Sequence, residues 1–496
     1  MNHLIIAPIV LPAVLAGMIV LMARTSIAAQ RFIAAVGVCA LLGLSAILFL
    51  QSGTRAPQAY FLGNWPAPFG IVLILDRLAA LMLALTAGLS AIIWAYAALT
   101  NWDKRGKHFH ALFLFQLMGL NGAFLTGDAF NLFVFFEVLL IASYGLMVHG
   151  GGADRLRAGV QYVAFNLVGS TLFLFGLATI YSVTGTLNMA DLAVKLAVLP
   201  DGDAALVRVA SVMLLLVFAI KGALVPLHFW LPGTYANAPG PVAALFAVMT
   251  KVGAYAMIRF GTLVFTADAT KGLLDTLLTP TALATMALGA FGVLGSQSLS
   301  RMVAFAGIGS MGVVFLAIAA GTPQATSAAL YYILHSTLAT AALFLLADMI
   351  MPGHAENTFA PPQGKPSGLI AALFMAAAIA MAGMPPLSGF VAKLLVMDAL
   401  RDQAAVMWSA ILGASLITIL GFARAGSQLF WTPGVSDPAT PPPQPRSRVA
   451  PVVALLAAMF GFTVLAGPIT AWLEITAEAL HSPAPYIAAN ALPGVP

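Results

Sequence analysis

Charge is what this chain has least of. Of 496 residues only 8% are Lys, Arg, Asp or Glu, where soluble domains carry about 25%. So few charges cannot cover a water-facing surface, and 61% of the residues are hydrophobic. The chain therefore reads as a polytopic membrane protein, and dividing its length into soluble domains has no meaning. Cysteine is nearly missing too. The single Cys39 excludes an intramolecular disulfide and any cysteine-rich metal, iron–sulfur or haem site. Neither a glycine-rich phosphate loop nor a paired-histidine metal signature occurs, so no cofactor and no metal are expected. A net charge of +5 can signify a nucleic-acid partner, but these basic residues sit in short loops between apolar runs. That is the positive-inside pattern, and no nucleic acid is expected. Nor is a cleavable signal, because the first apolar run lacks a basic flank and another run follows at once.

What is present is a succession of apolar runs. A span needs about 20 apolar residues, and on that length the chain gives about fourteen segments. They are 4–23, 31–50, 77–99, 109–126, 129–148, 159–181, 205–225 (continuing past a break to about 232), 241–264, 276–296, 302–320, 325–350, 367–400 (broken), 405–430 and 449–473. Loops after odd-numbered segments hold Arg24, Arg31, Lys104, Arg105, Lys107, Arg155, Arg157, Arg301, Lys365, Arg446 and Arg448. The other loops are poorer, with Arg55, Lys195, Arg208, Lys271 and Arg401. The richer loops are expected in the cytoplasm, with both termini outside. The proline-rich piece 433–447 reads as a semi-rigid linker.

The stretch Leu216 to Phe260 organises the rest. Lys221 lies near the end of one apolar run and Lys251 inside the next. Between them stand Pro226, Pro232, Pro239 and Pro241, so the first helix must break and restart. Freed carbonyls in an apolar medium need protein or water partners, and two ammonium groups beside such a break point to a wet polar path. PLHFW at 226–230 and PLSGF at 386–390 form a weak internal repeat, each in an interrupted run with a lysine close by, Lys221 and Lys393. Paired broken segments of this kind mark transport sites between inverted repeats.

Glu137 sits mid-segment in NLFVFFEVLLIASYG, where a carboxylate costs about 2.5–3.5 kcal/mol on insertion scales. The alternative is a packing acid held by a neighbouring helix. Tyr144, seven residues on, shares its helical face. Lys221 has a snorkelling alternative, being close to the break. Lys251 does not, because Tyr255 and Arg259 follow on the same face and make it polar from mid-membrane to one surface. Lysine loses its charge by desolvation more readily than arginine, which suits a group that releases protons. His335, in YYILHSTLAT among Ser336, Thr337 and Thr340, is equally a structural group or a proton relay. His228 reads as a cap on freed carbonyls. Lys393 has no acid partner identifiable from sequence, and Asp348 is expected to face an interface. His108 and His110, beside Lys104 and Arg105, read as a solvated patch.

The strings FNLFVFFEVLLIASYGLM, AIKGALVPLHFWLP, APGPVAALFAVMTKVGAY, YYILHSTLATAALFLLAD and MAGMPPLSGFVAKL resemble the proton-translocating antiporter family. Its members include the large membrane subunits of respiratory complex I and of Mrp-type multisubunit cation/proton antiporters. Length and Lys393 after the second break resemble the D-type class of the latter. The resemblance implies an all-α membrane bundle whose two inverted repeats have about five helices each, every repeat containing a broken helix. On that basis 1–100 holds the first helices, 101–265 and 266–430 the two repeats, and 431–496 the proline-rich loop and last helix. It further implies Glu137 ion-paired with Lys221, Lys251 central, His335 a relay on a broken eleventh helix and Lys393 terminal. His228, Tyr144, Tyr255, Pro226 and Pro386 would support them. The chain departs from the family in reading TYANAP where a histidine often precedes AP, and in having Ala339 or Thr340 where a lysine often follows the histidine. Partners implied are the other antiporter subunits, the lipid bilayer, protons and Na⁺ or K⁺, in a bacterial inner membrane. The rival class is a pump subunit of an NADH–quinone oxidoreductase or membrane hydrogenase; a purely structural bundle is the third.

Overall fold

A computed structural model describes residues 2–23, 25–350, 359, 367–431 and 446–493. Arg24, Lys365 and most of the proline-rich piece, 433–445, lie outside the described residues. The chain opens with α1 (Ala7–Met22) and α2 (Ile27–Thr54), the latter capped by Ser26, whose side chain accepts from the Ala29 amide. An antiparallel hairpin follows, β1 (Gln58–Phe61) and β2 (Val72–Leu75). Asp76 then caps α3 (Arg77–Leu99), satisfying an amide that the first turn leaves free. Next come α4 (Phe109–Leu125), α5 (Ala129–Met147), α6 (Ala153–Thr184) and the short α7 (Met189–Ala197).

The first broken pair is α8 (Ala204–Gly222) and α9 (Trp230–Asn237). Ala223 closes α8 in the left-handed region at φ 54°, and Pro226 falls in the gap. The second half runs to Asn237, beyond the expected 232. After α10 (Gly240–Leu263), α11 (Leu273–Gly295), α12 (Leu299–Ala319) and α13 (Pro323–Ile350) comes the second break. It separates α14 (Gly368–Ala382) from α15 (Ser388–Ala399), with Gly383 left-handed at φ 79° and Pro386 in the gap. Then follow α16 (Ala404–Phe430), α17 (Arg446–Val464), α18 (Ala466–His481) and α19 (Ala484–Ala489).

Ten of these helices are long and apolar enough to cross a membrane, and α17 with α18 makes a further, bent pair. The chain is a multi-pass membrane protein. The last apolar run is not one straight span: α17 and α18 meet at 79°, where Gly467 and Pro468 follow the bend. The two helices that sit deepest are α10, buried on every face, and α13, almost so. They pack on each other and are ringed by α3, α8, α12, α14, α15, α17 and α18. Polar residues on α10 and α13 are therefore shielded from lipid.

One sequence expectation fails at one end of the bundle. His110 is not solvated: it is fully buried on α4, and its Nε2 lies 3.0 Å from Asp103 Oδ2, which Arg31 also holds at 2.6 Å. Burial works to raise the Asp103 carboxyl, but the hydrogen bonds from Arg31 and His110 hold it at about 2. Asp348, at the same end, is half-buried: its carboxylate accepts hydrogen bonds from Tyr96 Oη (2.7 Å) and Trp102 Nε1 (2.8 Å).

Asp128 gives a stability prediction. It caps α5 by accepting from the Asn131 amide at 2.7 Å, yet burial pushes its carboxyl up to about 6. A raised folded value means the fold favours the protonated acid, so this contribution is complete below pH ~4 and is lost as pH rises through 6. Asp128→Asn keeps the acceptor without the charge. Thermal unfolding should show it more stable than the parent at pH 8, by on the order of 1–3 kcal/mol, with little difference at pH 4.

Candidate functional site: a file of buried amines

Lys221 ends α8 at the first break, with 7% of its surface exposed. Its ammonium donates to Asn166 Oδ1 at 2.9 Å. Glu137, on α5, accepts instead from the Ser170 hydroxyl. The implied Glu137–Lys221 ion pair is thus not a direct contact. Asn166 and Ser170 lie one turn apart on α6 and hold the amine and the acid respectively, and the Glu137 charge still acts on Lys221. Glu137 itself is half-buried, at the margin of an α5 face where Val134 and Ile141 are exposed. Tyr144 lies within reach of the Glu137 charge and stacks edge-on against Tyr162 at 5.3 Å.

Lys251 is 1% exposed at the middle of α10. Its ammonium meets the thioether of Met311 at 3.1 Å, a weak acceptor. The helix below it is polar as expected: Tyr255 donates to the Phe124 carbonyl at 2.6 Å, and Arg259 grips Asp76 with two bonds of 2.6 and 2.9 Å. Gly253 brings α10 onto the first break; a Cβ there would stand 2.7 Å from both Gly222 N and Phe218 O. The two lysine-bearing helices therefore touch backbone to backbone beside Lys221.

His335 does not sit on a broken helix. α13 runs unbroken past it, and no proline interrupts that run. The ring instead plugs the neighbouring break: Nδ1 is 2.9 Å from Ser388 Oγ at the start of α15. Charges on Lys393 and Lys251 both act on this ring. Lys393 finds no acid partner among the described residues: its ammonium donates to the Ala382 carbonyl and to Ser415 Oγ, each at 2.7 Å. The first is a carbonyl freed by the break, which a cation satisfies well. His228 lies buried in the first break, with no hydrogen-bond partner for its Nδ1 among the described residues and its ring against Phe229. Hydroxyl and amide residues with no charge of their own, Asn166, Ser170, Ser388 and Ser415, were not visible in the sequence as members of this set. Their only signal is spacing: Asn166 and Ser170 share an α6 face.

The sequence profile of the family described as NADH:quinone oxidoreductase/Mrp antiporter, transmembrane, matches residues 126–419. The chain belongs to this family. The matched span takes in both breaks and every residue of the file. Over 97% of its length the chain is 39% identical to the D-type subunit of a probable K(+)/H(+) antiporter from Rhizobium meliloti (strain 1021), 96% of which is covered. It is 36% identical to the D-type subunit of the Na(+)/H(+) antiporter of Bacillus subtilis (strain 168), over 99% of each chain. Among solved structures, a chain of the Mrp complex from Dietzia sp. DQ12-45-1b superposes with TM-score 0.89 at 27% identity, covering 99% of this chain and 100% of that one. A chain of respiratory complex I from Thermus thermophilus superposes with TM-score 0.81 at 26% identity, covering 96% and 99%.

Gly389 shows how closely the family fold is drawn around His335. A Cβ there would strike the Ala380 carbonyl oxygen and stand 2.8 Å from His335 Nε2. Gly389→Ala should therefore push α15 off the break, lowering both thermal stability and ion transport. Gly368→Ala, which meets nothing within 4 Å, is the control. Parental stability and transport in Gly389→Ala would show that the plug does not matter.

Proposed function

We propose that this chain is the D-type, proton-translocating subunit of a multisubunit Na⁺ or K⁺/proton antiporter, a secondary transporter subunit rather than an enzyme. It works in a bacterial inner membrane with the other antiporter subunits, both termini outside. Residues 101–265 and 266–430 act as inverted repeats between the helices of 1–100 and the terminal piece 431–496. The observation that carries this reading is the file Lys221, Lys251, His335 and Lys393, which threads the two deepest helices and both breaks. Ionisable groups at that depth are costly and functional by default.

In this reading the charge of Glu137, held at Ser170, keeps the proton on Lys221, held at Asn166. When acid and amine move apart, the amine loses its counter-charge and gives its proton toward Lys251, then His335 and Lys393. His228, Tyr144 and Tyr255 line the way, and Pro226 and Pro386 keep the helices broken. A membrane potential supplies about 2.3 kcal/mol per charge per 100 mV, enough to bias each step. Hard cations prefer several oxygen ligands; Na⁺ or K⁺ is accordingly assigned to a path made with partner subunits.

Everted vesicles carrying the assembled complex test the proposal. Proton-coupled Na⁺ or K⁺ efflux is expected, and Lys251→Ala should abolish it while the protein stays in the membrane. Normal antiport by that variant, or NADH oxidation by a complex without antiport, defeats the reading.

A further inference from the structure

Two cavities meet end to end beside Lys251. The outer one is a polar vestibule of about 520 Å³, open at the end of the bundle that carries Arg155 and Arg301, with Asp348 in its wall. The inner one is a pocket of about 10 Å³ that contains Thr250, Lys251 and Thr340, room for roughly one water. Tyr235 and Phe344 line both. Their rings stand 6.0 Å apart at 63° and separate the two spaces.

The surrounding helices pass from outer to inner cavity in register. On α13, Asp348, Phe344 and Thr340 follow at four-residue steps, so one face carries carboxylate, ring and hydroxyl in order. On α12, Arg301 faces the vestibule and Ala304 and Gly307 the pocket; on α10, Ala243 precedes Ala247 and Lys251 in the same way. Such a column of small residues leaves the two rings as the obstruction. The pocket also has polar groups for a water: Thr340 Oγ1 is buried without a hydrogen-bond partner among the described residues, and Lys251 has a thioether beside it. Of the two rings, Tyr235 is tethered, its hydroxyl donating to the Phe246 carbonyl at 2.8 Å. The Phe344 side chain has no polar atom and is held by packing alone.

We propose that Phe344, swinging against the fixed Tyr235, is a gate that admits water from the vestibule at the basic end to Lys251. This rests on the proton-path reading for its purpose, though its geometry does not. By the excess of Arg at that end, the gate opens toward the cytoplasm. A swing of Phe344 joins vestibule and pocket into one wet column ending at the amine, and its return isolates the amine from that side. Lys251 then exchanges protons with one surface only while the ring is out.

Accessibility tests the gate without transport. In a Cys39→Ser background, Thr340→Cys is exposed in everted vesicles to 2-sulfonatoethyl methanethiosulfonate, with Ser300→Cys in the vestibule wall as reference. Thr340→Cys should label far more slowly than Ser300→Cys. Adding Phe344→Ala should speed Thr340→Cys labelling by roughly ten- to a thousandfold, because a gate open in a minor fraction of molecules becomes permanently open. Thr250→Cys, in the same pocket, gives the same comparison where Thr340→Cys does not assemble. A rate unchanged by Phe344→Ala overturns the proposal, as does a Thr340→Cys that labels as fast as Ser300→Cys without it. Antiport by Lys251→Ala is read separately: its survival would remove the proton path and leave the labelling result to stand or fall alone.

Discussion

Alanine at Lys221, and independently at Glu137, is expected to abolish proton-coupled cation efflux while the protein still assembles. Lys221 donates to Asn166 Oδ1 and Glu137 accepts from Ser170, both on one α6 face, so one helix face holds acid and amine near each other without a direct contact. Removing either charge leaves the other without its counter-charge in a low-dielectric site, where an unpaired ion is strongly disfavoured. Asn166→Leu separates the link from the charges: both ionisable groups remain, but the amine loses its direct oxygen partner. It should lose most of the antiport, by a factor of roughly ten to a hundred if the link is worth about 1.5–3 kcal/mol as a charge-assisted bond. Asn166→Gln or Asn166→Asp, which keep an acceptor, should retain more. Efflux in vesicles with matched protein amounts measures all of these, and full antiport by Glu137→Ala and Lys221→Ala would refute the role given to the pair.

What the sequence disclosed and what it hid follow from one difference. Lys221, Lys251, Glu137 and Lys393 stand out because a charge within an apolar run is rare and expensive. The two breaks stand out because proline cannot continue a helix, and helices occupy the apolar runs much as their lengths require. Hidden were features decided by what folds alongside. Asn166 and Ser170 are ordinary helix residues until α6 is laid against α5 and α8. His110 looked solvated because Lys104, Arg105 and Lys107 precede it, yet Asp103 folds back under Arg31 to bury it. Asp348 shows no partner in the sequence, because Tyr96 and Trp102, which donate to it, come from distant segments. The resemblance implies a broken helix at His335, whereas the break belongs to the next run and the ring fills it. The bend between α17 and α18 did have a signal, Gly467–Pro468, which a continuous apolar run masks.

Breaking the Arg259–Asp76 pair should give the largest loss of stability. The pair is bidentate, with Arg259 3% and Asp76 9% exposed; Tyr486 covers the guanidinium at 4.9 Å and Tyr255 flanks it at 5.5 Å. Asp76 has a second duty, accepting from the Ala79 amide at 2.9 Å to cap α3. Arg259→Leu removes the cation and strands a carboxylate that the cap holds in place, at an expected cost of about 3–5 kcal/mol. Arg259→Leu combined with Asp76→Asn keeps the cap and removes the stranded charge, so thermal unfolding of the purified assembly should show most of the loss recovered. A double variant as unstable as the single one would mean that geometry, not charge, is what the pair provides. Transport then separates structure from path. Arg259 ends the polar face that begins at Lys251, and if protons leave along that face, the recovered double variant remains stable yet slow; if it transports like the parent, the pair is a clasp between α3 and α10 and protons leave elsewhere.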